Sequence, residues 1–214
     1  MVDAKCKIGI MGGTFDPVHY GHLVTAEAAL GEFQLDQVLF VPSGNPPHKD
    51  PIGVTETKHR YLMTVLATVT NPKFEVSRVD IDREGVTYTI ETLRLLKARY
   101  GPGTELYFIT GADAILEIMS WKDPKNLLQM AEFIAATRPG FSLGRQNDMI
   151  KRWFAQQEKS LNILQVPAMA ISSTDIRKRV KHGKSIRYLV PETVDHYIYK
   201  NNLYGECSGT HNRP

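Results

Sequence analysis

The period of the apolar positions changes repeatedly along the chain, and that alternation orders the elements. Ile8-Gly9-Ile10-Met11 is a short apolar run that reads as a buried strand, and Gln37–Val41 reads as a second, ended by Pro42-Ser43-Gly44. Leu106–Thr110 and Glu132–Thr137 read the same way; Phe74–Val79 is a weaker strand pattern and Asn162–Val166 a further one. Between them the spacing turns helical. Leu23, Ala26, Leu30 and Phe33 share one face, as do Tyr61, Leu62, Val65, Leu66 and Val69 within Glu56–Val69. Ile90, Leu93, Leu96 and Tyr100 mark a helix over Thr89–Tyr100, stopped by Gly101-Pro102-Gly103. Asn147–Glu158, Thr174–Lys181 and Pro191–Lys200 complete the predicted helices. This order predicts an α/β fold: a doubly wound parallel sheet with helices on both faces and a small C-terminal helical segment. Ligands of such sheets bind beyond the carboxyl ends of the strands. Segments 12–16, 42–49, 111–113 and 138–140 should therefore gather on one edge.

Composition narrows the class. Hydrophobic residues at 42% and charged residues at 23% are ordinary for a globular chain, and 214 residues suffice for one well-buried domain. That domain is expected to span 1–204, with 205–214, which lacks an apolar pattern, as a flexible tail. A net charge of +3 is too small to argue for a nucleic-acid groove but suits small polyanionic substrates. Cys6 and Cys207 lie near opposite ends and form no disulfide framework. Met1–Lys7 is polar and no apolar stretch reaches bilayer length, so no membrane association and a cytoplasmic location are expected.

The chemistry concentrates after the first strand, in Gly12-Gly13-Thr14-Phe15-Asp16-Pro17-Val18-His19-Tyr20-Gly21-His22. This is a strand, a Gly-rich turn and a helix start with two imidazoles on its first turn. A helix start offers unpaired N–H groups and the positive end of the dipole, which suits phosphate. Gly12 and Gly13 would let the backbone approach an anion with no Cβ in the way. His19 and His22, three apart, can meet one ligand. The same pair could form half of a zinc site, although no His-Glu-x-x-His pattern accompanies it and only Cys6 is near in sequence. Late in the chain, Ile171-Ser172-Ser173-Thr174-Asp175-Ile176-Arg177 reads as a helix start with a capping-box-like Ser172/Asp175 pair. Arg177, Lys178 and Arg179 would then fall in the first turns, where the dipole disfavours cations unless an anion is present. A solvated face is the alternative for Lys178 and Arg179.

The first string resembles the signature of the HxGH nucleotidyltransferase superfamily, and Ile171-Ser172-Ser173-Thr174 with Arg177 resembles its second signature. Further matches resemble the nicotinate-nucleotide adenylyltransferases within it. They are Pro46-Pro47-His48-Lys49, Tyr88-Thr89-Ile90-Glu91-Thr92-Leu93, Gly111-Ala112-Asp113, Ser120-Trp121 and Arg187-Tyr188-Leu189-Val190-Pro191, with Tyr197-Ile198 and Asn202-Leu203-Tyr204 at the end. The resemblance runs from about residue 8 to 204 and leaves only the tail uncovered. It implies a Rossmann-like nucleotidyltransferase in NAD biosynthesis, with ATP and nicotinate mononucleotide as substrates and magnesium carried by the phosphates and water rather than by protein side chains. ATP would be met by Gly12, Gly13, Thr14 and Phe15 through backbone contacts, and its phosphates by His19, His22 and Arg177, the catalytic set. Ser172, Ser173 and Thr174 would hold the distal oxygens through hydroxyls and helix-start N–H groups. Gly111 and Asp113 would border the adenosine, with Arg138 beside the base. The acceptor ring would stack on Trp121, its carboxylate meeting N–H groups around Thr89, beside Tyr88, and the Trp121–Lys122 peptide; His48 and Lys49 would take its phosphate. Trp121 could instead be plain core and His48 and Lys49 solvated loop. Nicotinamide mononucleotide or phosphopantetheine as acceptor, and a regulatory module that binds nucleotide without turnover, are the rival readings. A homo-oligomer is compatible with all of this.

Overall fold

The structure, a computed structural model, describes residues 6–46, 53–137, 144–167 and 170–205. Six strands form one sheet: β1 (Lys7–Gly13), β2 (Gln37–Pro42), β3 (Phe74–Val76), β4 (Glu105–Gly111), β5 (Glu132–Thr137) and β6 (Leu161–Gln165). Every pairing is parallel, in the order β3-β2-β1-β4-β5-β6. The doubly wound parallel sheet is as expected. The order reverses between β1 and β4, which opens a crevice at the carboxyl ends of those two strands.

Strand alternation assigns the faces. Met11, Val38, Phe40, Ile109 and Ile134 point to one side and pack with α1 (Tyr20–Glu32), α2 (Thr57–Thr68), α7 (Ser173–Lys181) and α8 (Glu192–Lys200). Ile8, Ile10, Leu39, Val41, Phe108 and Phe133 point to the other, against α3 (Thr89–Tyr100), α4 (Ala112–Ile115), α5 (Pro124–Met130) and α6 (Gly144–Gln156). Apolar runs in the strands reflect burial on both faces.

Two departures have physical causes. The edge strand stops at Val76 instead of Val79: after Ser77 N–H donates to Phe40 O (2.9 Å), the chain turns and Asp80 becomes buried. The stretch between β4 and β5, which carries no clear period, folds into α4, a 3-10 turn (Ile118–Ser120) and α5. Pieces of four, three and seven residues are too short to display a helical stripe, although Pro124 at the first position of α5 is a start signal. None of the described helices is long and apolar enough to cross a membrane.

Candidate active site

A cleft of about 330 Å³ opens at the reversal point, lined by the ends of β1 and β4, the start of α1 and the start of α7. Of the residues singled out in sequence, Gly12, His19, His22, Gly111, Ser172 and Ser173 line it, joined by Thr25, Thr110, Pro167 and Ile171. The two sequence signatures meet here. Arg177 Nη1 donates to Asp16 O (2.7 Å), across 161 positions of chain, and Ser173 Oγ donates to Pro17 O (2.8 Å).

The histidines take different positions from those expected. His19 is the N-cap of α1, in extended conformation and buried, and only His22 lies within the first turn. Their rings nonetheless stack, with centroids 3.7 Å apart and planes 22° from parallel. His22 Nδ1 accepts the His19 backbone N–H (3.2 Å). A ring nitrogen that accepts holds no proton, so neutral His22 carries its proton on Nε2, a donor on a side chain that lines the cleft. Phe15, buried with φ 49°, does not line the cleft; its ring meets His22 edge-on at 5.1 Å and fixes the imidazole plane.

The glycines of the turn sit where packing leaves little room for a side chain. A Cβ at Gly12 would lie 3.3 Å from the Phe108 ring, and one at Gly13 would lie 3.0 Å from the Phe15 ring. Thr14 also lies off the cleft wall; its carbonyl accepts from Arg60 Nη1 (2.8 Å). Asp16 is buried, with Oδ1 accepting from Tyr204 OH (2.7 Å) and Oδ2 from Thr55 N–H (3.2 Å).

At the second corner, Ser172 caps α7 by accepting Asp175 N–H (3.1 Å), as its spacing suggested. Asp175 does not reciprocate; its carboxylate pairs with Arg179 at 2.7 Å. The helix ends at Lys181, so Lys178 and Arg179 sit in its last turn, where the dipole favours cations. The solvated-face reading holds for that ion pair. Ser173 donates its hydroxyl hydrogen bond to Pro17 O, so that hydroxyl is engaged within the protein, and its backbone N–H stands at the first helical position of α7. Thr174 is exposed beside Arg177, its Oγ1 3.5 Å from Nη2.

Gly111 caps α4, which begins at the mouth of the crevice, and Asp113 is exposed in its first turn. On the same face of the sheet as α4, Trp121 is half-buried and meets Phe108 edge-on at 5.9 Å, so a single ring separates it from Gly12. The Lys122 ammonium stands 4.5 Å from the Tyr88 ring centroid and 3.6 Å from Glu91 Oε1. Tyr88 is the N-cap of α3 and supplies no side-chain cap; its carbonyl accepts from Glu91 N–H (3.1 Å) and Thr92 N–H (3.2 Å). Arg83 steadies this corner, donating to Tyr88 O (3.2 Å) and pairing with buried Asp80 (3.1 Å), which also accepts from Thr92 Oγ1 (2.6 Å). Burial pushes the Asp80 carboxyl above the ordinary range, against the opposing pull of Thr92 and Arg83. His48, Lys49 and Arg138 lie outside the described residues.

Sequence reasoning missed Arg60, Asp80 and Arg83, and gave Tyr204 no role beyond a match at the end of the chain. Only Arg60 left a trace, as a cation on an otherwise mixed helix face; partners so distant in sequence give no periodic signal. Among the described residues, no group of three or more His, Cys, Asp or Glu side chains is placed to hold a metal ion.

Residues 10–179 match the cytidylyltransferase-like family. A protein of Thermoanaerobacter sp. (strain X514) named "Probable nicotinate-nucleotide adenylyltransferase" is 57% identical over 203 residues, 95% of this chain and 96% of its own. One of the same name from Moorella thermoacetica is 58% identical over 204 residues, 95% of this chain and 94% of its own. The Plasmodium falciparum nicotinic acid mononucleotide adenylyltransferase complexed with NaAD superposes with a TM-score of 0.73 at 24% identity, over 93% of this chain and 97% of that one, a likeness of fold. The chain therefore belongs to the cytidylyltransferase-like family and, within it, to the nicotinate-nucleotide adenylyltransferases.

Proposed function

We propose that the protein transfers the adenylyl group of ATP to nicotinate mononucleotide, releasing pyrophosphate and forming nicotinate adenine dinucleotide in NAD biosynthesis. The observation that carries this reading is the meeting of the α1 and α7 N-termini around one cleft, with His22 on its wall and Arg177 of α7 tied to the first turn at Asp16 O. Two positive helix ends facing one volume favour a polyanion. The names of the relatives, at more than half identity over nearly the whole chain, supply the acceptor.

In this reading an oxygen of the acceptor's 5′-phosphate attacks the α-phosphorus of ATP and the bond to pyrophosphate breaks. That oxygen is already anionic at neutral pH, so no side chain need remove a proton and no covalent enzyme intermediate forms. The protein's work is to hold two mutually repelling polyanions in line and to offset charge at the transferring group. His19, His22, Arg177 and the α7 start take the triphosphate; Gly111 and Asp113 border the nucleoside, and Arg138 the base. Trp121, with the backbone near Thr89 and Lys122, takes the acceptor, and His48 and Lys49 its phosphate. Both Asp16 oxygens are engaged by Tyr204 and Thr55, which fits magnesium held by phosphates and water. Bound so, the ion would neutralise the departing pyrophosphate.

Purified protein with ATP and magnesium should release pyrophosphate fastest with nicotinate mononucleotide among a panel that includes nicotinamide mononucleotide and phosphopantetheine. Faster release with either alternative overturns the assignment, and tight ATP binding without release under any of them would favour a regulatory module.

A further inference from the structure

Arg60, 1% exposed on α2, is the largest fully buried side chain among the described residues. A buried guanidinium is costly unless every direction of its fork meets an acceptor. Here Nε donates to Thr55 O (2.9 Å), Nη1 to Thr14 O (2.8 Å), and Nη2 to both Gly44 O (3.1 Å) and Thr57 Oγ1 (3.0 Å). Burial pulls its pKa down, and the nearby Asp16 charge offsets part of that.

The acceptors reveal what it joins. Gly44 and Thr55 flank segment 45–54, to which His48 and Lys49 belong in sequence. Thr14 belongs to the turn beside the triphosphate cleft. Secondary ties run the same way: Thr55 N–H donates to Asp16, and Thr57 Oγ1 lies 3.5 Å from Gly44 O. Gly44 is held from behind as well, because a Cβ there would strike the Asp80 carbonyl. The three carbonyls are met from three different nitrogens of one planar fork; an ammonium has three donors too, but all on a single nitrogen at the end of a flexible stem, and does not reproduce that spread.

We infer that Arg60 is a positioning residue for adenylyl transfer: one guanidinium staples both flanks of segment 45–54 to the first turn and so sets the spacing between acceptor phosphate and triphosphate. The inference rests on the adenylyl-transfer reading for its consequence, while the staple stands on geometry alone.

The test is Arg60→Lys, with Thr57→Val as a milder variant should the first not fold. In ligand-free protein, amide hydrogen exchange should rise about tenfold in 12–16 and 43–57 together, with the strands 8–11 and 105–110 unchanged. Unchanged exchange, or an even rise that includes the strands, overturns the staple. In kinetics, KM for the acceptor should rise at least about tenfold, while calorimetric affinity for a non-hydrolysable ATP analogue shifts less than about threefold. Equal losses for both ligands, or a fall in kcat with KM unchanged, overturn the positioning role. Wild-type protein inactive on nicotinate mononucleotide would defeat the functional reading, and the exchange result would still decide the staple.

Discussion

The stacked imidazoles at the start of α1 show how neighbouring residues divide a task. His19, buried and outside the helix proper, supplies the backbone N–H that His22 Nδ1 accepts, and Phe15 meets the His22 ring edge-on from a left-handed backbone position. Tautomer and plane of His22 are thereby set before any ligand arrives, which is the condition under which a donor acts on charge that develops during reaction. His22→Ala should lower kcat by about 10²–10³-fold, with KM for ATP moving less than about threefold. Steady-state kinetics in which KM alone changes would remove the role. The pair of histidines was legible because their spacing is local. The packing at Gly12 and Gly13 was not, since Phe108 comes from another strand and the Phe15 ring depends on how the turn closes.

At the scale of elements, α1 and α7 both begin at the cleft although they stand far apart in sequence, and each start is built differently. The α7 start relies on Ser172, whose hydroxyl accepts Asp175 N–H. Ser172→Ala should cost about 0.5–2 kcal/mol of stability and raise KM for ATP, since the N–H groups of the first turn would lose their fixed direction. Denaturant unfolding alongside ATP titration measures both; a stability loss without any change in KM would confine Ser172 to structure. Periodicity placed the major helices within a few residues, and the cap was readable from Ser172 and Asp175. The end of α7 at Lys181 was read correctly; what was overlooked is that in a helix of nine residues Lys178 and Arg179 already belong to the last turn, where the dipole favours cations.

Across the whole molecule, the C-terminal residues close over the first turn. Tyr204, with φ 65°, donates to Asp16 across 188 positions, while Arg177 reaches the same residue's carbonyl. Tyr204→Phe should cost about 1.5–3 kcal/mol at neutral pH, the usual worth of a hydrogen bond to a charged group. Burial first, and then the Asp16 charge, push the phenol well above its ordinary range. The folded state therefore favours the neutral phenol. That contribution is complete below the unfolded value of about 10 and is lost as pH climbs beyond it. Wild-type stability should decline above that pH from this source, and Tyr204→Phe should show a flatter decline; parallel slopes in alkaline denaturation series would discount the contact.

Read alone, the sequence determined which segments are strands and helices, that the sheet is parallel and covered on both faces, and which turns offer glycine, imidazole and hydroxyl to phosphate. Those properties follow from periodicity and from the chemistry of adjacent residues, both of which act within a few positions. That the two signature corners share one cleft was implied by the resemblance and is carried out by the winding of the sheet; tertiary structure alone decided that Arg60 joins the first turn to both flanks of segment 45–54, and that Asp16 is held by the far end of the chain. Hydrogen bonds between backbone carbonyls and remote side chains depend on how the sheet winds and where each loop leaves it, and no local pattern of residues encodes that.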